Sequence, residues 1–148
     1  MKLLKAYTEQ EIMEMGPEKL TSILYKALIE KLEQAIKTID NKDYIATNYF
    51  LQGCNDILQR LGGGINYKAG IIADHLEALY NYSSEKLIEA NLEKDKKSME
   101  DVLKIMENLQ EAWEEGMKIA EKESYNDNKL DSYEKHLYYE TTNLDILE

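Results

Sequence analysis

Residues 17–39 read PEKLTSILYKALIEKLEQAIKTI. Leu20, Leu24, Leu28, Ala35 and Ile39 recur there at three- and four-residue multiples, and Ile23, Ala27, Leu32 and Ile36 widen the row. That is the period of a helix with one apolar side. Pro17 suits the first helical position, where its missing N–H is not needed. Glu18 follows in the first turn, where a negative charge complements the helix dipole. Asp40-Asn41-Lys42-Asp43 is a polar break and reads as a turn.

Working outward, a second helix is expected from Tyr44 to about Leu61, with Ile45, Tyr49, Cys54, Ile57, Leu58 and Leu61 on its apolar side. Gly62-Gly63-Gly64 should stop it, because glycine is poor inside helices and common just past their ends. A third helix, about 67–93, carries Ile72, Leu76, Leu79, Leu87 and Ala90, flanked by His75, Tyr80 and Tyr82. After a charged turn, a fourth helix, about 99–120, presents Val102, Leu103, Met106, Leu109, Trp113, Met117 and Ala120. Residues 1–15 are mixed and show no cap, and residues 122–148 form an acidic tail, expected as either disordered or a short docking helix. No sustained period-two alternation marks a strand. The expectation is an all-α chain: an antiparallel up-down four-helix bundle over 1–121, with a short N-terminal segment and an extra C-terminal tail.

Composition narrows the function. A chain of 148 residues suits one hydrophobic core. The net charge of −11 argues against nucleic acid, whose phosphates call for Lys and Arg, and against an anionic membrane surface. No apolar run approaches the roughly 20 residues that span a bilayer, and residues 1–7 lack the apolar stretch of a secretory signal. Cys54 has no second cysteine to pair with, which fits a reducing cytoplasm. Eleven tyrosines against one phenylalanine supply apolar bodies with polar tips, suited either to a partner surface or to the edge of a core.

Sites for chemistry do not assemble in the sequence. A di-iron bundle needs two Glu-x-x-His pairs; here the residues three before His75 and His136 are Ile72 and Tyr133. His75 beside Asp74 reads as a boundary residue, Cys54 as a buried and inert thiol. The acidic run from Asp127 to Glu134 lacks calcium-loop spacing. Neither a cofactor nor a metal nor catalysis is expected. Asn91 is expected to satisfy backbone groups or to fix the turn after the third helix.

Several short motifs stand in order: Ala6-Tyr7, Pro17-Glu18-Lys19-Leu20, Leu24-Tyr25, Leu79-Tyr80-Asn81-Tyr82, Leu87-Ile88-Glu89-Ala90-Asn91 with Asp95, then Leu109 and Ala112-Trp113. In this the chain resembles the flagellar secretion chaperones, over about Ala6 to Trp113. The resemblance implies a cytoplasmic protein that binds the disordered C-terminal segment of flagellin by helix-in-groove recognition and prevents premature polymerisation. It implies the flagellar export apparatus as a further partner, with the chaperone a monomer or weak homodimer. It also places Tyr7 at or beside the groove. Among residues flanking the core stripes, Ile45, Tyr49, Leu79, Tyr80 and Tyr82 are the expected client contacts. The alternative is a self-associating structural or regulatory bundle with no flagellin client. A tail whose Leu137, Tyr138, Tyr139, Ile146 and Leu147 mimic the client would make the chaperone autoinhibited.

Overall fold

The computed structural model describes residues 8–147, with side chains as far as residue 123 apart from Ile12 and Met13. Among these residues there are helices and no strands. They are α1 (Glu9–Glu14), α2 (Pro17–Asp40), α3 (Tyr44–Gly63), a 3-10 turn (Tyr67–Ala69), α4 (Ile71–Glu93) and α5 (Lys96–Leu147).

The first helix is capped after all. Thr8 N–H donates to Glu11 Oε2 (3.3 Å) and Glu11 N–H donates to Thr8 Oγ1 (3.1 Å). This is a reciprocal capping box, formed because Thr and Glu stand three apart ahead of the helix. Pro17 opens α2 at the expected place.

Two helix reversals use one device. After α2, Lys42 takes the left-handed conformation (φ 58°), and the Asp43 N–H reaches back to the Thr38 carbonyl (2.9 Å). After α4, Lys94 does the same (φ 59°), with Asp95 N–H on the Ala90 carbonyl (2.9 Å). These are Schellman-type closures. The aspartate then caps the next helix: Asp43 Oδ1 accepts from Ala46 N–H (3.2 Å), and Asp95 accepts from Lys97 N–H and the Ser98 hydroxyl. The Asn91 carbonyl accepts from Lys94 Nζ (2.8 Å) in that turn, but the Asn91 side chain points elsewhere. Its Nδ2 donates to Asn48 Oδ1 (2.7 Å), which ties α4 to α3.

The middle connection differs. Helix α3 runs on through Gly62 and Gly63 and ends at Gly64, whose N–H bonds the Arg60 carbonyl. Gly70, at φ +68°, then turns the chain into α4.

Helix α2 packs on α3, and α3 on α4. The Lys96–Asp40 ion pair (2.9 Å) sets the start of α5 beside the end of α2. Thr38 and Thr47 share a hydrogen bond (2.7 Å) where α2 and α3 meet at the same end. Leu28, Leu32 and Ala35 of α2, Leu51, Cys54 and Ile57 of α3, Leu87 and Ala90 of α4, and Met99, Val102 and Met106 of α5 are fully buried. Each large apolar side chain among them contributes about 1.5–3 kcal/mol.

The core stripe of α4 keeps the expected Leu87 and Ala90 but not Ile72, Leu76 and Leu79. Ala73, Tyr80, Ser83, Leu87 and Ala90 are buried, Leu76 and Leu79 are half-buried, and Ile72 is exposed. Small residues at three of the five buried positions let the neighbouring helices approach closely.

The chain divides into two compact units, Met1–Ala112 and Trp113–Glu148. In the second, the backbone is helical as far as Leu147, so α5 does not end near residue 120 as expected. No proline or glycine follows Gly116 to break it. The side chains of Leu137, Tyr138, Tyr139, Ile146 and Leu147, proposed as a client mimic, lie outside those described.

Candidate binding surface

Helix α3 presents a ridge to solvent. Ile45 is 87% exposed and Tyr49 66% exposed, one turn apart, followed by Gln52 and Asp56. An isoleucine so exposed loses the stabilisation that burial would give it, so its place is informative only with apolar neighbours. Those neighbours exist. Tyr44 lies one residue before Ile45, with Lys94 Nζ 5.2 Å from its ring centre. Asn48, on the next turn, is bonded to Asn91, and Leu92 beside Asn91 is 78% exposed.

A shallow cleft runs on each side of the ridge. On the α2 side, a cleft of about 280 Å³ is lined by Lys31, Tyr49, Gln52, Gly53, Asp56, Ile57 and Arg60. Lys31 reaches across from α2 and lies over Gly53. A Cβ at Gly53 would sit 2.9 Å from Lys31 Cδ. Its Nζ stands 5.7 Å from the Tyr49 ring centre and 6.0 Å from that of Phe50, within cation–π range. On the α4 side, a cleft of about 360 Å³ has Leu58, Gly62 and Tyr80 among its walls, with Tyr67, Glu77, Asn81 and Ser84 opposite Gln59.

The expected contacts divide accordingly. Ile45, Tyr49 and Tyr82 are exposed, and Leu79 is half-buried. Tyr80 is only 4% exposed and belongs to the core, where its hydroxyl shares a hydrogen bond with Tyr25. Burial first, and then that bond, push the Tyr80 hydroxyl well above the usual tyrosine range. Burial also raises Tyr25, with the bond acting against it. Tyr7 lies outside the described residues. Sequence reasoning passed over Tyr67, Ile71, Ile88 and Leu92, all exposed. Ile88 and Leu92 are four apart on the side of α4 away from its core stripe, a spacing that could have marked them.

Among the described residues, no three His, Cys, Asp or Glu side chains converge on one point. Cys54 is buried, and burial pushes its thiol up to about 12, against a smaller downward pull from Lys31. His75 stands on an exposed face. Among the described residues, no helix is long and apolar enough to cross a membrane.

Among the described residues the fold is a helical bundle that leaves aliphatic and aromatic side chains open on an outer ridge, beside shallow clefts. The chain matches the family described as flagellar protein FliS over residues 1–120, and it belongs to that family. It is 29% identical to the flagellar secretion chaperone FliS of Salmonella typhimurium over 132 residues, 85% of this chain and 96% of the relative. It is 30% identical to the Campylobacter jejuni flagellar secretion chaperone FliS over 111 residues, 74% of this chain and 87% of the relative. The Bacillus subtilis flagellar secretion chaperone FliS is 24% identical over 120 residues, 81% of this chain and 90% of the relative.

Proposed function

We propose that this chain is a cytoplasmic export chaperone that binds the disordered C-terminal segment of flagellin, keeps it from polymerising prematurely and delivers it to the flagellar export apparatus. It does so by binding alone, with no catalytic step. The observation that carries this reading is the exposed Ile45–Tyr49 ridge of α3 in a member of a flagellar chaperone family. Apolar side chains held open on a bundle surface mark an interaction site. An amphipathic segment can lay its own apolar side along the ridge and fold as it binds. Ordering such a segment costs about 2–5 kcal/mol or more, so the contact must cover a long surface, which a helix ridge flanked by clefts offers.

The test is size-exclusion chromatography of the chain mixed with monomeric flagellin from the same organism. A one-to-one complex is expected with intact flagellin and none with flagellin lacking its C-terminal segment. Equal complex formation with both would place the client contact elsewhere, and no complex with either would overturn the reading.

A further inference from the structure

The cleft between α2 and α3 has a charge balance opposite in sign to that of the chain as a whole. The chain carries 29 acidic and 18 basic residues, yet two of the seven residues lining this cleft are cations, Lys31 and Arg60, and one, Asp56, is an anion. Among the described residues, neither cation makes an ion pair, and Asp56 is joined to neither. Lys31 is half-buried, held over Gly53 and against the Tyr49 and Phe50 rings. Its position is therefore fixed by packing while its charge is left without a carboxylate. From Tyr49 through Gly53 and Asp56 to Arg60 the lining residues follow one side of α3, roughly 16 Å along the helix at 1.5 Å per residue. Tyr49 gives this row an apolar start and Arg60 a cationic end.

We infer that the Lys31–Arg60 cleft is an acid-reading subsite: it takes an Asp or Glu side chain of the bound segment while an aliphatic side chain of the same segment rests on Ile45 and Tyr49. The inference rests on the client-binding reading above and deepens it. An acidic side chain is the matching occupant because it pairs charges that the fold leaves unpaired, and a charged hydrogen bond is stronger than a neutral one. The two cations would locally offset the net charge of −11, which by itself repels an acidic side chain.

The experiment is a titration of the full chain with a synthetic peptide of the cognate flagellin C-terminal segment, at low salt and at about ten times that ionic strength. Lys31→Gln and Arg60→Gln should each weaken binding by about 10-fold at low salt, and the loss should shrink at high salt. Asp56→Asn, which removes the one like charge in the cleft, should strengthen binding at low salt. Lys37→Gln, on α2 outside the cleft, should change nothing. Replacing the peptide's acidic residues one at a time by their amides should find one whose effect disappears in the Lys31→Gln background. Circular dichroism melts of each variant report whether the fold is kept. Binding by the wild type that is indifferent to Lys31, Arg60 and Asp56 would overturn the acid-reading subsite while leaving the chaperone reading in place. No binding by the wild type under either condition would overturn both.

Discussion

Tyr25 and Tyr80 meet between α2 and α4 with ring centres 6.4 Å apart and a shared hydrogen bond. A buried hydroxyl that loses its partner keeps its desolvation cost, about 1–3 kcal/mol. Tyr25→Phe should therefore destabilise the fold by about that much, and adding Tyr80→Phe should recover part of the loss. Urea unfolding of the two variants checks this; additive losses would contradict it. Both hydroxyls are shifted upward, so the folded state holds their protons more tightly than the unfolded chain does. Their contribution is full below the unfolded tyrosine value, about 10, and is lost as pH rises above it. At the open end of the same scale, Ile45→Asp should change stability by no more than about 0.5 kcal/mol, because Ile45 is already 87% exposed in the fold, yet it should weaken client binding by 10-fold or more. Ile45 and Tyr49 were legible in the sequence as residues at the margin of a stripe. Tyr80 was not, because a tyrosine serves equally at a surface and in a core if its hydroxyl finds a partner, and that partner stands 55 positions earlier in the chain.

The helices were legible because four apolar rows keep the helical period for several turns each. Their ends were less so. Lys42-Asp43 and Lys94-Asp95 are the same closure used twice, yet lysine gives no signal for the left-handed conformation that each adopts. The glycines misled in the opposite sense: Gly62 and Gly63 are helical, with nothing within 4 Å of where a Cβ would stand. Alanine at either position should stabilise the chain by about 0.5–1 kcal/mol. Gly70→Ala should destabilise it, because a φ of +68° strains any residue with a side chain. Thermal melts of the three variants should show opposite shifts; the same sign in all three would contradict the account of this connection. Asp95 carries a pH signature of its own. The Ser98 hydroxyl bond, joined by backbone N–H bonds, holds its carboxyl below the usual aspartate range, against a smaller upward push from burial. A depressed value means that the cap stabilises above the unfolded value and is lost as pH falls through the folded one. Asp95→Ala should therefore lower the melting temperature near neutral pH, and the gap to wild type should close as pH falls below about 4. The stripe of α4 misled because Ile72, Leu76 and Leu79 and the set Ala73, Tyr80 and Ser83 both keep a helical period. Which set turns inward depends on how closely α3 and α4 approach, and the small buried residues of α4 allow the closer packing.

At the scale of the molecule, every buried side chain among the described residues lies between Ser22 and Met106, within the unit Met1–Ala112. The bundle could be read from the sequence because its core comes from periodic residues of consecutive helices. Which apolar residues stay exposed could be read only in part, because an apolar residue at the edge of a stripe has the same sequence signal whether it is covered by a neighbouring helix or left open. A self-associating bundle would use the same open residues. Sedimentation velocity separates the two: the chain alone should remain a monomer or weakly dimeric, and a tight dimer that dissociates on Ile45→Asp substitution would favour self-association. The most direct measurement is calorimetric titration of the full chain with the C-terminal segment of the cognate flagellin at several temperatures. The account predicts saturable one-to-one binding with a negative heat-capacity change, the mark of apolar surface leaving water, and a clear loss in Ile45→Asp. Binding with no heat-capacity change and no dependence on Ile45, or no binding at all, would contradict it.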